Sequence, residues 1–359
     1  MAHFFRWLLL PFSWLYAAVL ALRNWLYDNG LIKSFKFSVP LIGVGNLRVG
    51  GTGKTPHVAW LVQELRTLGH RPAILSRGYG RATTGPRLAS AADSAATIGD
   101  EPWQYHEQFG PLGVPVAVAE KRRLGAELLL GRHPEITVIV LDDAYQHRAV
   151  QPTLNILLTE WERPFYDDFV LPAGRLREAR SGAGRADIVV VTKCSSDVTG
   201  AARAAVALQV TRYARPGVPV LFSTYAYAPP QPLTAAAKAA GPPAPGPALL
   251  LTGIAQPGPL REQLRSLGYS IKHHAELPDH YSFTPEDVAA LRTHWQAGWP
   301  IFTTTKDAAR LQLPALQAAL AAPPALPVYT IPVAVAFLTD GAAQLRALLG
   351  ALPQPPPRQ

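Results

Sequence analysis

Cysteine is almost missing from this 359-residue chain, which has only Cys194. One thiol excludes an internal disulfide framework and any cysteine-rich metal site, and it fits a reducing compartment. Lysine is scarce too, so arginine carries most of the positive charge. There is no zinc-ligand spacing, no RNA-recognition run and no basic stripe interleaved with aromatics, so nucleic acid ranks last among anionic partners. Internal repeats are also lacking. What is present is a basic chain with net charge +9 and pI of about 9.7. That balance suits a phosphorylated substrate or an anionic membrane surface. The hydrophobic share of 48% is high for a soluble enzyme, and 359 residues suffice for two ordinary domains. Abundant proline and alanine read as the taste of a GC-rich genome.

The first thirty residues narrow the choice of partner. Residues 7–22 are dominated by apolar side chains, with Arg6 before them and Arg23 and Trp25 after. Sixteen helical residues reach only ~24 Å, short of a ~30 Å hydrocarbon core, and Pro11 and Ser13 weaken a span further. Trp and Tyr at both ends favour the headgroup boundary, where flanking arginines meet phosphates. A cleaved signal peptide would send the segment described next into a compartment without ATP. A helix packed on the protein core is the other rival. The reading adopted is an uncleaved helix, 1–32, lying in the cytoplasmic face of a membrane.

Val49-Gly50-Gly51-Thr52-Gly53-Lys54-Thr55 follows an apolar run, 39–44, and precedes a helical pattern, 56–68. Strand, glycine-rich loop and helix is the context a phosphate-binding loop requires. Glycines let successive backbone N–H groups turn inward round an anion. Lys54 is placed to reach the β- and γ-phosphates, and the Thr55 hydroxyl to hold Mg²⁺. The nucleotide contacts are expected from 48–55: Arg48, Val49, Gly50, Gly51, Thr52, Gly53, Lys54 and Thr55. Arg48 replaces the first glycine of the strict pattern. The loop is thus closer to the double-glycine form of MinD-like ATPases, with Val49 where those carry a lysine.

Further apolar runs at 72–75, 114–119, 136–141, 154–158 and 188–191 alternate with helical stretches. Such alternation predicts a P-loop-type α/β core, 33–228, with a parallel sheet and helices on both faces. The run 136–141 ends in Asp142-Asp143, the form of a Walker B element. A Pro/Ala/Gly-rich linker is expected at 229–247, then a smaller α/β unit at 248–345 and a disordered tail at 346–359. Phosphoryl transfer to an alcohol needs a carboxylate for the hydroxyl and cations to spread charge. Asp100, Glu101 and Glu178 are candidates for the first, and Arg122, Arg175 and Arg177 for the second. Each alone reads equally well as a surface charge or ion-pair partner. His273 and His274 read as surface residues.

Several segments together resemble one family. They are Gly45-Asn46-Leu47 with the loop 50–56, Ser76-Arg77-Gly78-Tyr79-Gly80, Gly99-Asp100-Glu101-Pro102, Asp142-Asp143 with Gln146-His147, and 171–174 with Leu176-Arg177-Glu178. Pro278-Asp279-His280-Tyr281-Ser282-Phe283 and Thr305-Lys306-Asp307 complete the set. In this order they resemble tetraacyldisaccharide 4′-kinase, the lipid A kinase of Gram-negative bacteria, from the N-terminal helix to about residue 340. One departure is Ala144-Tyr145, where the family usually has Gly-Phe.

The resemblance implies an inner-membrane enzyme that moves the ATP γ-phosphate to the 4′-hydroxyl of a tetraacyl disaccharide 1-phosphate. It implies Asp100 as base, His280 tuning or orienting it from the second unit, and Lys54 as the catalytic cation. Thr55, Glu101, Asp142 and Asp143 would serve Mg²⁺, and Tyr79, Arg122, His147, Arg177 and Glu178 the acceptor lipid. No protein partner is implied. The competing reading is a membrane-associated MinD-like ATPase switch, against which stand Val49 and the Asp-Asp-Ala-Tyr run where a switch would place a sensing glycine. A soluble small-molecule kinase is a third, disfavoured by the N-terminal helix.

Overall fold

Runs of Val, Ile and Leu with no polar alternation can be satisfied only by a sheet covered on both faces, and that sheet organises the molecule. The structure, a computed structural model, describes residues 2–279 and 281–353. The chain opens with α1 (Ala2–Asp28), followed by β1 (Leu41–Asn46), α2 (Lys54–Thr67), β2 (Pro72–Ser76) and the short β3 (Arg87–Leu88). Next come α3 (Ala95–Ile98), α4 (Asp100–Phe109), β4 (Val116–Val118), α5 (Arg122–Arg132) and β5 (Val138–Asp142). β6 (Leu154–Glu160), β7 (Ile188–Thr192), α6 (Gly200–Thr211) and β8 (Val220–Tyr227) complete this stretch. A second unit holds β9 (Gln231–Pro232), α7 (Ala235–Ala240), β10 (Pro247–Thr252), α8 (Gly258–Ser266) and β11 (Ser270–Glu276). It continues with α9 (Pro285–His294), β12 (Ile301–Thr304), α10 (Thr305–Leu311), α11 (Pro314–Ala321) and β13 (Val328–Ile331). β14 (Val333–Phe337) and α12 (Gly341–Gly350) end the described chain.

The larger sheet has nine strands in the order β14-β8-β7-β6-β1-β5-β2-β4-β3. Its strands from β8 to β4 are parallel, and an antiparallel strand closes each edge. Alternate residues serve opposite faces. Ile42, Val44, Ile74 and Val140 pack under α2, α4 and α12, whereas Leu41, Leu75, Ile139 and Leu141 pack with Ala126 and Leu129 of α5. The smaller sheet, β11-β10-β12-β13-β9, has its own two cores around Leu249, Leu251 and Ile301 and around Leu250, Phe302 and Tyr329. Both units therefore match the expected α/β architecture, with carboxyl ends of β1 and β5 side by side.

Three expected boundaries move. The linker, 229–247, instead contains β9 and α7. Thr234 caps α7 and also donates to Leu326 O at 2.8 Å, so the segment is welded to the second sheet. The chain then returns to the first unit, because β14 pairs antiparallel with β8 over Val333–Phe337. The tail expected from 346 is helical to Gly350, and Leu345, Leu349 and Leu352 lie in the large core beside α2. Apolar residues at spacing four bind this helix to a sheet distant in sequence, which composition alone does not reveal. Residues 354–359 lie outside the described residues.

α1 is longer than its sixteen-residue apolar segment suggested. It runs for 27 residues with Pro11 inside it, ~40 Å at the usual rise. The stretch Trp7–Asp28 is long and apolar enough to cross a membrane, by length and composition. One side leans on the protein. Ser13 is buried and accepts the Ala173 N–H at 2.9 Å, and Asn24 donates to Glu178 at 3.2 Å. The other side exposes Trp7, Phe12, Trp14, Leu15, Val19, Leu22 and Trp25.

Candidate active site

β1 delivers the chain into the phosphate loop, and α2 takes it away. Gly53 is the N-cap of α2 with φ of 86°, a left-handed conformation that a side chain resists. A Cβ there would also meet the Tyr225 hydroxyl at 2.8 Å. The floor of the loop is fixed by buried polar groups. Asn46, at the end of β1, donates to Thr52 Oγ1 at 2.8 Å, and Thr192, at the end of β7, donates to the Thr52 carbonyl at 2.9 Å. His57 completes the scaffold, with Nδ1 2.7 Å from the Gly53 carbonyl and Nε2 3.0 Å from Ser223 Oγ. Since a carbonyl only accepts, Nδ1 carries the proton and the serine donates to Nε2.

Burial holds His57 neutral and pulls it down to about 4, although its bond to Gly53 works the other way. The unfolded chain, with an ordinary imidazole near 6.5, therefore binds the extra proton first, so stability rises with pH between about 4 and 6.5. A drop from pH 7.5 to 5 is expected to cost about 2 kcal/mol through this residue. His57→Asn should flatten that part of a melting-temperature profile. A pH profile identical in both proteins would remove His57 from this role.

Opposite the loop, β5 ends in the acid pair. Asp142 is 4% exposed and accepts from Ser76 Oγ at 3.0 Å through Oδ2. Its Oδ1 is buried with no hydrogen-bond partner. Burial, then repulsion from Asp143, pushes this carboxyl up to about 6. Asp143 behaves differently. Burial opposes its charge, but Lys54 at 3.5 Å and Arg177 at 2.8 Å hold its carboxyl below the usual range. An orphaned carboxylate oxygen beside a hydroxyl-bearing phosphate loop fits a hard divalent cation, which wants oxygen ligands. Among the described residues no group of three or more His, Cys, Asp or Glu side chains could hold a metal. Tyr105 is fully buried on α4, and its hydroxyl is a second buried polar atom with no hydrogen-bond partner; burial and the nearby Asp142 and Glu101 keep its phenol protonated.

The structure brings most of the candidate residues to this edge but sorts their tasks. Arg177 clamps both oxygens of Asp143, at 2.8 and 2.9 Å. Tyr79 is 75% exposed on the loop after β2. His147 is pushed down to about 4 by burial and by Arg122 and Arg77, so it is neutral. Arg77, which appeared only inside a motif, thus joins the cationic side of the site.

Three side chains face elsewhere. Arg48 turns from the loop to Asp168 at 2.9 Å and Glu160 at 3.7 Å, so its side chain anchors the loop instead of lining it. Arg122 is 2% exposed and donates to the carbonyls of Ala119 and Asp142, pinning β4 to β5. Glu178 is 3% exposed and takes hydrogen bonds from Asn24, Gln146 and Arg185. It joins α1 to the acid-pair loop and has no remaining reach towards an acceptor. In the variant position the Tyr145 hydroxyl donates to the Gly182 carbonyl at 2.8 Å, which accommodates the extra polar atom of Ala144-Tyr145.

The second unit touches the first turn of α4. Asp100 is the first residue of α4, and Arg310 of α10 reaches its Oδ2 at 2.8 Å. Lys306 lies 3.8 Å from Glu101 and 3.4 Å from Asp279. On the other flank Lys193 donates to Gln256 at 2.8 Å and pairs with Glu160. Neither Arg310 nor Lys193 stood out in the sequence, since a lone arginine in a helix and a lysine after an apolar strand carry no spacing signal. His280 lies outside the described residues. His274, read as a surface residue, is instead largely covered and bonded to Thr252 at 2.8 Å.

A parallel sheet whose first strand feeds a glycine loop, with a lysine and paired acids converging on it, defines a P-loop nucleotide-binding protein. Residues 5–352 match the family described as tetraacyldisaccharide-1-P 4′-kinase. The chain is 43% identical to the tetraacyldisaccharide 4′-kinase of Cytophaga hutchinsonii over 311 residues, 85% of each chain. It is 39% identical to that of Phocaeicola vulgatus over 351 residues, covering 93% of this chain and 91% of the relative. LpxK from Aquifex aeolicus, solved in complex with ATP, superposes with a TM-score of 0.72 at 30% identity, over 96% of this chain and 98% of that one. The chain belongs to the tetraacyldisaccharide-1-P 4′-kinase family.

Proposed function

We propose that this chain transfers the γ-phosphate of ATP to the 4′-hydroxyl of a tetraacyldisaccharide 1-phosphate, a step of lipid A biosynthesis. The observation that carries the reading is the meeting of Lys54 with Asp143 at the phosphate loop, beside Asp142 and within reach of the charge of Glu101 on α4, in a chain of this family. The loop 49–55 cradles the phosphates with backbone N–H groups, and Lys54 meets the charge that develops on the transferred group. Thr55, Asp142 and Asp143 would hold Mg²⁺, with Glu101 nearest on α4. Bound there, the ion neutralises phosphate oxygens. Asp100 accepts the proton of the acceptor hydroxyl as the new P–O bond forms and the bond to ADP breaks. Arg177 keeps Asp143 ionised, and Arg77, His147 and Tyr79 would meet the sugar phosphate. A MinD-like switch has no acceptor to deprotonate and does not explain Asp100.

The exposed apolar side of α1 would sit in the cytoplasmic face of the inner membrane, where an acylated substrate resides. The deciding experiment follows label from γ-³²P-ATP into tetraacyldisaccharide 1-phosphate presented in anionic vesicles. Full-length protein should label the 4′-position in a Mg²⁺-dependent way and co-sediment with the vesicles. A protein lacking residues 1–26 should lose vesicle binding. Labelling of no lipid, with ATP hydrolysis intact, would refute the kinase reading; undiminished sedimentation of the truncated protein would refute α1 as anchor.

A further inference from the structure

α10 meets the first turn of α4 with two cations one helical turn apart. Lys306 faces Glu101, and Arg310 faces Asp100, with Nε at 2.9 Å and Nη2 at 2.8 Å from Oδ2. Arg310 is 6% exposed, so this contact is removed from bulk water. Its guanidinium is itself held from behind. Nη1 lies 3.2 Å from Asp307 Oδ1, 3.1 Å from the Gly253 carbonyl at the end of β10, and 3.4 Å from the Tyr281 carbonyl. Asp307 is fully buried and is fixed in turn by Thr304 Oγ1 at 2.8 Å. The planar fork is thus aimed by three acceptors of the second unit at one carboxylate of the first. A rigid, always charged fork restricts a carboxylate rotamer in a way a flexible ammonium does not.

We infer that Arg310 is a positioning residue for phosphoryl transfer, fixing the orientation in which the Asp100 carboxylate meets the acceptor hydroxyl. The inference rests on the reading of Asp100 as the base. Misplacing a reacting group by about 1 Å costs roughly 10²-fold in rate, so the effect belongs in kcat, not in nucleotide binding. Among the described residues the hydrogen bonds of Arg310 go to Asp100, Gly253, Tyr281 and Asp307 and none to the phosphate loop, so ATP affinity has no reason to change with it.

The test compares Arg310→Gln, Arg310→Lys, Asp100→Asn and the Arg310→Gln/Asp100→Asn double variant in the full chain. Lipid phosphorylation, ATP dissociation constant and melting temperature are measured for each. Arg310→Gln should lower kcat about 10²-fold, keep the ATP dissociation constant within about threefold, and regain activity with added methylguanidine. Arg310→Lys keeps a charge beside the buried Asp307, so it serves if the glutamine variant fails to fold. It should fall between wild type and Arg310→Gln, because the fork is lost. In the Asp100→Asn background, Arg310→Gln should cost nothing more. Full activity of Arg310→Lys, or loss of ATP affinity in step with kcat and without methylguanidine rescue, overturns the positioning role. Asp100→Asn inactive beside a fully active Arg310→Gln overturns this inference alone. A fully active Asp100→Asn overturns the base assignment instead.

Discussion

Lys54→Ala should abolish phosphoryl transfer in a protein that still folds. Lys54 opens α2 and stands 3.5 Å from Asp143, the position from which an ammonium reaches phosphate oxygens. Removing a preorganised cation from a water-poor site typically costs about 3–4 kcal/mol, or 10²–10³-fold in kcat. The fold has little stake in it. The loop is held by Asn46, Thr192 and His57, none of which uses the lysine, and Asp143 keeps its bidentate partner Arg177. Circular dichroism and melting temperature should be near wild type while lipid labelling disappears. Turnover within tenfold of wild type would show that the loop does not act on the transferred phosphate.

Asp142→Asn should separate activity from stability in opposite directions. The carboxylate is buried, one oxygen has no partner, and its pKa rises to about 6 from the usual 3.8. A raised folded-state pKa means the folded protein resists the charge. The cost is absent below about pH 4, grows as pH rises to 6, and stands at about 3 kcal/mol near neutrality. Asparagine keeps an acceptor for Ser76 and removes that cost. Without divalent ions the variant should melt higher than wild type at pH 7.5. With Mg²⁺ and ATP it should lose three or more orders of magnitude in kcat, having lost a hard anionic ligand. A variant that melts lower and works normally would mean Asp142 is a structural acid.

What could be read in the sequence was what has local periodicity or a short motif. The apolar runs at 39–44, 72–75, 136–141, 154–158 and 188–191 all became strands of the large sheet, since burial on both faces demands unbroken apolar character. The loop at 48–55 and the Asp142-Asp143 pair were legible because their spacing is fixed by chemistry. Roles assigned to single charges fared differently. Arg48, Arg122 and Glu178 lie within the right motifs, yet each is consumed by partners distant in sequence: Asp168, the Asp142 carbonyl, and Asn24 with Arg185. Arg310 reaches a partner 210 positions away. No window of sequence contains such a pair, so only tertiary packing discloses it. The same holds for β14, a short apolar strand, mostly half-buried, whose place is set by the free edge of β8.

The return of β14 and α12 to the large sheet also bears on how the protein is made. A ribosome releases β8 early, then the whole second unit, and only at the end the strand that covers β8's edge. During that interval the nascent sheet presents an open row of backbone donors and acceptors, the kind of surface that recruits other chains. The second unit can fold first, since all its strands and helices lie between the two halves. Its entry and exit strands, β8 and β14, are neighbours in the finished sheet, so the ordered insert itself brings the last strand home.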